Sequence, residues 1–91
     1  MIVSFRSKAL KQFFEDDDPS GIRPDLVERV RARLQGLHRA KTLSDLNVPG
    51  WRCHRLHDVP PRYAIAVNGP WRVTFEWGDG SASRVDLEQY H

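Results

Sequence analysis

The apolar positions of the chain change their period once, near residue 50. Ile2 to Phe5 is a short β-branched and aromatic run that predicts a strand. Ser7 follows, a residue whose hydroxyl can cap a helix by accepting from the open amides of its first turn. Ala9, Leu10, Phe13 and Phe14 then recur at spacings of one, three and four and form one apolar stripe. Glu15-Asp16-Asp17-Asp18-Pro19-Ser20-Gly21 ends that helix, because acids at a helix C-terminus oppose its dipole and Pro and Gly punctuate the chain. Pro24 suits the first turn of a second helix, in which Leu26, Val27, Val30, Leu34 and Leu37 face one way. Arg29, Arg31, Arg33, Arg39 and Lys41 give that helix a basic outer side. A short helical turn is expected within Thr42–Asn47, closed by Pro49-Gly50.

From Trp51 the period falls to two. Trp51–His57, Arg62–Val67, Trp71–Trp77 and Ala82–Leu87 are rich in Val, Ile, Trp, Tyr and Phe. Between them lie Asp58-Val59-Pro60-Pro61, Asn68-Gly69-Pro70 and Gly78-Asp79-Gly80-Ser81, and Asn-Gly and Asp-Gly are strong hairpin signals. Val73, Phe75 and Trp77 alternate with Arg72, Thr74 and Glu76, which predicts a half-buried strand with the second set outward. The order β-α-α-β-β-β-β describes an α+β two-layer domain: an N-terminal strand and two helices packed on a mostly antiparallel sheet.

With 91 residues, this is a single domain spanning 1–91, too small for two folded units or a repeat array. Cys53 is the one cysteine, so no internal disulfide can form. A disulfide-stapled secreted mini-protein is excluded, and Cys53 reads as a small buried thiol. The opening MIVSFRSKAL lacks the apolar run of a secretory signal, and no stretch is apolar enough to span a membrane. A cytoplasmic location without membrane partners is expected. The net charge is only +2, but 11 of the 14 basic residues are Arg, whose planar fork matches phosphate. Nine Lys/Arg against six Asp/Glu fall in residues 1–41, and five against six fall in residues 42–91. The second part carries His54, His57 and His91 instead.

Metal chemistry has little support. Cys53, His54 and His57 alternate along one strand and cannot converge without a bend, and there is no CxxC or HExxH motif. No metal or cofactor is expected. No G-x-S-x-G elbow or phosphate-cradling glycine loop occurs either. What remains is a His/Arg/Tyr constellation on the sheet: His54, Arg72, Tyr90 and His91. Imidazoles titrate near neutral pH and suit acid and base, while Arg suits a phosphorane. Scattered surface histidines and a merely solvated basic helix face fit the same composition.

The whole chain resembles the HigB family of bacterial toxins, within the RelE/ParE toxin superfamily. The resemblance rests on I-V-S-F-R-S-K-A-L-K-Q-F-F-E at the start and S-G-I-R-P at Ser20–Pro24. It continues through D-L-N-V-P-G-W-R-C-H-R-L-H at Asp45–His57, G-P-W-R-V-T-F at Gly69–Phe75 and V-D-L-E-Q-Y-H at Val85–His91. It implies a small RelE-like fold and an endoribonuclease, an mRNA interferase that cuts messenger RNA in the ribosomal A site. It also implies inhibition by a HigA-like helix-turn-helix antitoxin, whose complex binds operator DNA.

By this resemblance the family's site falls on His54, Arg72, Tyr90 and His91, with His57 and Gln89 as further substrate contacts. Arg29, Arg33 and Arg39 would dock on ribosomal RNA. Two positions depart from the family pattern: His57 stands for a lysine of its L-H-P-L-K block and Gln89 for the aspartate of its closing D-Y-H. A non-hydrolytic gyrase poison of the ParE kind, or a weakened member acting mainly through antitoxin and operator, are the alternative readings.

Overall fold

The computed structural model describes residues 1–90 and has the expected α+β architecture. Helix α1 spans Lys8–Asp16, with Ser7 as its cap: the Ser7 hydroxyl accepts from the Leu10 amide at 3.2 Å. It stops where Asp17 turns left-handed at φ 53° and returns its amide to the Gln12 carbonyl. Asp18 then accepts from the Ser20 amide and starts a 3₁₀ turn over Pro19–Gly21. Pro24–Leu26 forms a second such turn that leads into helix α2, Val27–Arg39. The turn expected within 42–47 is a 3₁₀ turn at Leu43–Leu46, opened at Thr42, whose amide donates to the Asp45 carboxylate at 3.0 Å.

Four antiparallel strands follow in simple order: β1 His54–Arg55, β2 Tyr63–Asn68, β3 Trp71–Gly78 and β4 Ser81–Gln89. Both helices lie on one face. Leu10, Phe13, Val30, Leu34 and Leu37 bury there against Ile65, Val73, Phe75 and Val85. Each such side chain contributes roughly 1.5–3 kcal/mol by leaving water.

Three expectations are modified. The segment 2–5 is not a continuous strand. It runs parallel to β4 through two separate bridges, Ile2 to Ala82 and Phe5 to Val85. Arg84 sits between them at φ 50° and gives its amide to the Ser4 hydroxyl, which interrupts the ladder. The strand expected over 51–57 shrinks to two residues, because Arg52 at φ 50° bends the chain before it. Thr74 was expected to face solvent and is instead fully buried on the face away from the helices.

Candidate functional site

In an antiparallel sheet, directly paired residues share a face and alternate residues return to it. Tyr63, Ile65, Val67, Val73 and Phe75 therefore face the helices. Ala64 and Ala66 on β2 face away, with Arg72, Thr74 and Glu76 on β3, and Arg62 just before β2 reaches Thr74 and Glu76 on that side. The pairing of His54 with Ala64 puts His54 on this second face, and that of Arg72 with Glu88 puts Glu88 there. Tyr90 continues the alternation one step past β4, with its amide on the Pro70 carbonyl at 2.8 Å. The register thus brings His54, Arg72 and Tyr90 to one face. His54 and Arg72 lie two strands and two residues apart, about 12 Å between Cα atoms.

His54 is exposed at the sheet edge, with Nδ1 2.8 Å from the Arg52 carbonyl. A carbonyl only accepts, so Nδ1 donates this bond and Nε2 is the ring nitrogen left out of it. Arg72 donates from Nη1 to the carbonyls of Gly69 at 2.6 Å and Trp71 at 2.9 Å, so the hairpin turn holds its guanidinium in place. Burial, then the charges of Glu88 and Asp58, pushes the Tyr90 phenol up from its ordinary value, against Arg62 and Arg72. His54 borders a shallow hollow with Leu43, Asn47 and Tyr63, while Arg72 borders another with Gly50, Arg52 and Gly69.

The other expected contacts are dispersed. His57 is exposed in the loop after β1, beside Arg55 and Asp58. Gln89 pairs with Trp71, so it points to the helix side, opposite to Arg72. His91 lies outside the described residues. On α2, Arg29 and Arg39 are exposed. Arg33 is bound into the fold: its Nε donates to the Ala66 carbonyl at 3.0 Å, and its guanidinium lies 5.2 Å from the Trp51 ring. Arg31 likewise pairs with Asp17 at 2.6 Å. Cys53 is half-buried, and burial raises its thiol above the usual range.

Sequence reasoning missed a polar network in the middle of this face. Arg62 is only 4 % exposed. Its Nη2 donates to Thr74 Oγ1 and to the Arg84 carbonyl, both at 3.0 Å, and its Nη1 lies 3.4 Å from Glu76. Arg84 shares Glu76 at 3.0 Å. Thr74 in turn donates to Glu88 Oε2. One signal was available: Ala64 and Ala66 alternate with large apolar residues, which leaves room for a long side chain across that face.

Among the described residues, no three His, Cys, Asp or Glu side chains cluster as metal ligands would. No helix there is long and apolar enough to cross a membrane.

Residues 3–91 match the family described as RelE-like toxin of type II toxin-antitoxin system HigB. The chain is 36% identical over 92 residues to Endoribonuclease HigB of Proteus vulgaris, covering all of both chains. It is 34% identical over 93 residues to Toxin HigB-1 of Vibrio cholerae serotype O1, covering 99% of this chain and 98% of the relative.

Proposed function

The chain belongs to the HigB-like toxins of type II toxin–antitoxin systems, and from that premise we propose that it is a ribosome-dependent endoribonuclease. The observation that carries the reading is the common sheet face of His54, Arg72 and Tyr90. In this reading His54 Nε2 takes the proton from an RNA 2′-OH, whose oxygen attacks the adjacent phosphorus. The bond to the 5′-oxygen breaks, and that oxygen takes its proton from His91. The products are a 2′,3′-cyclic phosphate and a free 5′-OH. Arg72 leaves the hairpin carbonyls to meet the phosphorane, and Tyr90 stacks on or orients the nucleotide. The route uses side-chain acids and bases alone and asks for no metal. The wide, shallow face fits a substrate that another body holds in place. We assign that body to the ribosome, with Arg29 and Arg39 contacting its RNA and His57 a phosphate of the message. A helix-turn-helix antitoxin inhibits the toxin in the cytoplasm, and their complex binds operator DNA.

The test is primer extension on messages from cells induced for the native protein, for His54→Ala and for Arg72→Ala. New 5′ ends inside coding regions are expected only with the native protein. Each substitution should lower the cleavage rate by about 10²–10³-fold. Native-rate cleavage by both variants, or growth arrest with intact messages and inhibited gyrase, overturns the reading.

A further inference from the structure

Of the carboxylates on the His54 face, one stands beside Arg72 and Tyr90 with an oxygen to spare. Asp86 turns its carboxylate back to the Leu87 amide at 2.8 Å. Glu76 is shared between Arg62 and Arg84. Glu88 lies directly across the ladder from Arg72 and two residues before Tyr90, and among the described residues only its Oε2 is taken, by Thr74. Thr74 is fully buried, and its hydroxyl is oriented by the buried Arg62, which donates to it. A hydroxyl that accepts from a guanidinium must donate elsewhere, and Glu88 is where it donates. The chain Arg62–Thr74–Glu88 therefore runs from the sheet interior to the site and ends in a carboxylate of fixed position.

We propose that Glu88 is a positioning residue of the RNA-cleaving face, aimed by Arg62 and Thr74, that anchors Arg72 when it turns to the scissile phosphate. The inference rests on the endoribonuclease reading and deepens it. Gln89, one residue on, lies on the wrong face and carries no charge, so it cannot serve in this way. Glu88 acts on Tyr90 together with Asp58, and Arg62 and Arg72 oppose them. Removing its charge leaves the two cations less opposed, and the phenol then ionises at a lower pH.

The experiment compares Glu88→Gln, Thr74→Val and the double variant with the native protein. Thr74→Val keeps the shape at a buried site and removes the hydroxyl. Cleavage of message on programmed ribosomes supplies kcat and KM, NMR titration of labelled tyrosines follows Tyr90, and melting curves report folding. Glu88→Gln should lower kcat on the order of tenfold to a hundredfold with KM little changed, as a misplaced group does. Its Tyr90 should ionise at lower pH. The double variant should be no worse than Glu88→Gln alone, because both break one chain. If Glu88→Gln proves unfolded, Thr74→Val alone must show the loss of kcat. A folded Glu88→Gln that cleaves at the native rate overturns this inference and leaves the activity standing. A native protein that does not cut ribosome-bound message overturns both.

Discussion

On the helix side of the sheet, Ile65, Val73, Phe75 and Val85 are fully buried and need nothing but neighbours of matching shape. On the other side Arg62 and Thr74 are buried about as deeply, and they reach that state only through hydrogen bonds and Glu76. A charge removed from water costs several kcal/mol unless it is paired, so this second face specifies one arrangement of its side chains. The apolar face supplies stability and tolerates some repacking. The polar face supplies fixed directions, which is what a reaction site asks for. Strands with a period of two carry both, because successive side chains go to opposite sides.

Phe75→Ala attacks the stability side alone. It should cost about 3–5 kcal/mol in denaturant unfolding, the usual price of a large core truncation. Cleavage per folded molecule should stay near native, measured where the variant is still folded. Loss of cleavage in the folded variant would break the division between the faces.

Gly36→Ala probes how tightly α2 sits. A Cβ at Gly36 would come 2.4 Å from the Trp51 ring, on which Arg33 also stacks. The ring must shift, and a thermal melt should show a loss of about 1–3 kcal/mol. An unchanged melting temperature would mean that Trp51 is not locked between α2 and the sheet.

Asp45→Asn tests a smaller, pH-dependent contribution outside both faces. Amides of Lys41 and then Thr42 hold the Asp45 carboxyl below its ordinary value. A carboxyl lowered in the folded state stabilises above its unfolded pKa, about 3.9, and loses that contribution as pH falls through the lowered value. The fall in melting temperature between pH 7 and pH 3 should therefore be narrower in Asp45→Asn than in the native protein. Equal falls would remove Asp45 from the acid response.

Much of the scaffold was legible. The stripe of Leu10, Phe13 and Phe14, the Ser7 cap, and the Asn-Gly and Asp-Gly hairpins each rest on short-range chemistry, and the structure shows each of them. The bulge at Arg84 was not legible, since a left-handed arginine follows from pairing with two neighbours at once and from no local motif. The grouping of His54, Arg72 and Tyr90 could be guessed from the strands that carry them, but the side on which Gln89 falls could not, because one residue of register reverses a face.

Periodicity and turn chemistry act over a few residues, so sequence alone determined the helices, the hairpins and the α+β order, while the family rests on the resemblance of its motifs. Which polar groups meet depends on contacts between distant strands. Arg62 reaches Thr74 and the Arg84 carbonyl across three strands, and Thr74 reaches Glu88 across two. Only the tertiary structure decided those partners, because burying a charge is tolerable solely where the fold brings its hydrogen-bond partners to it.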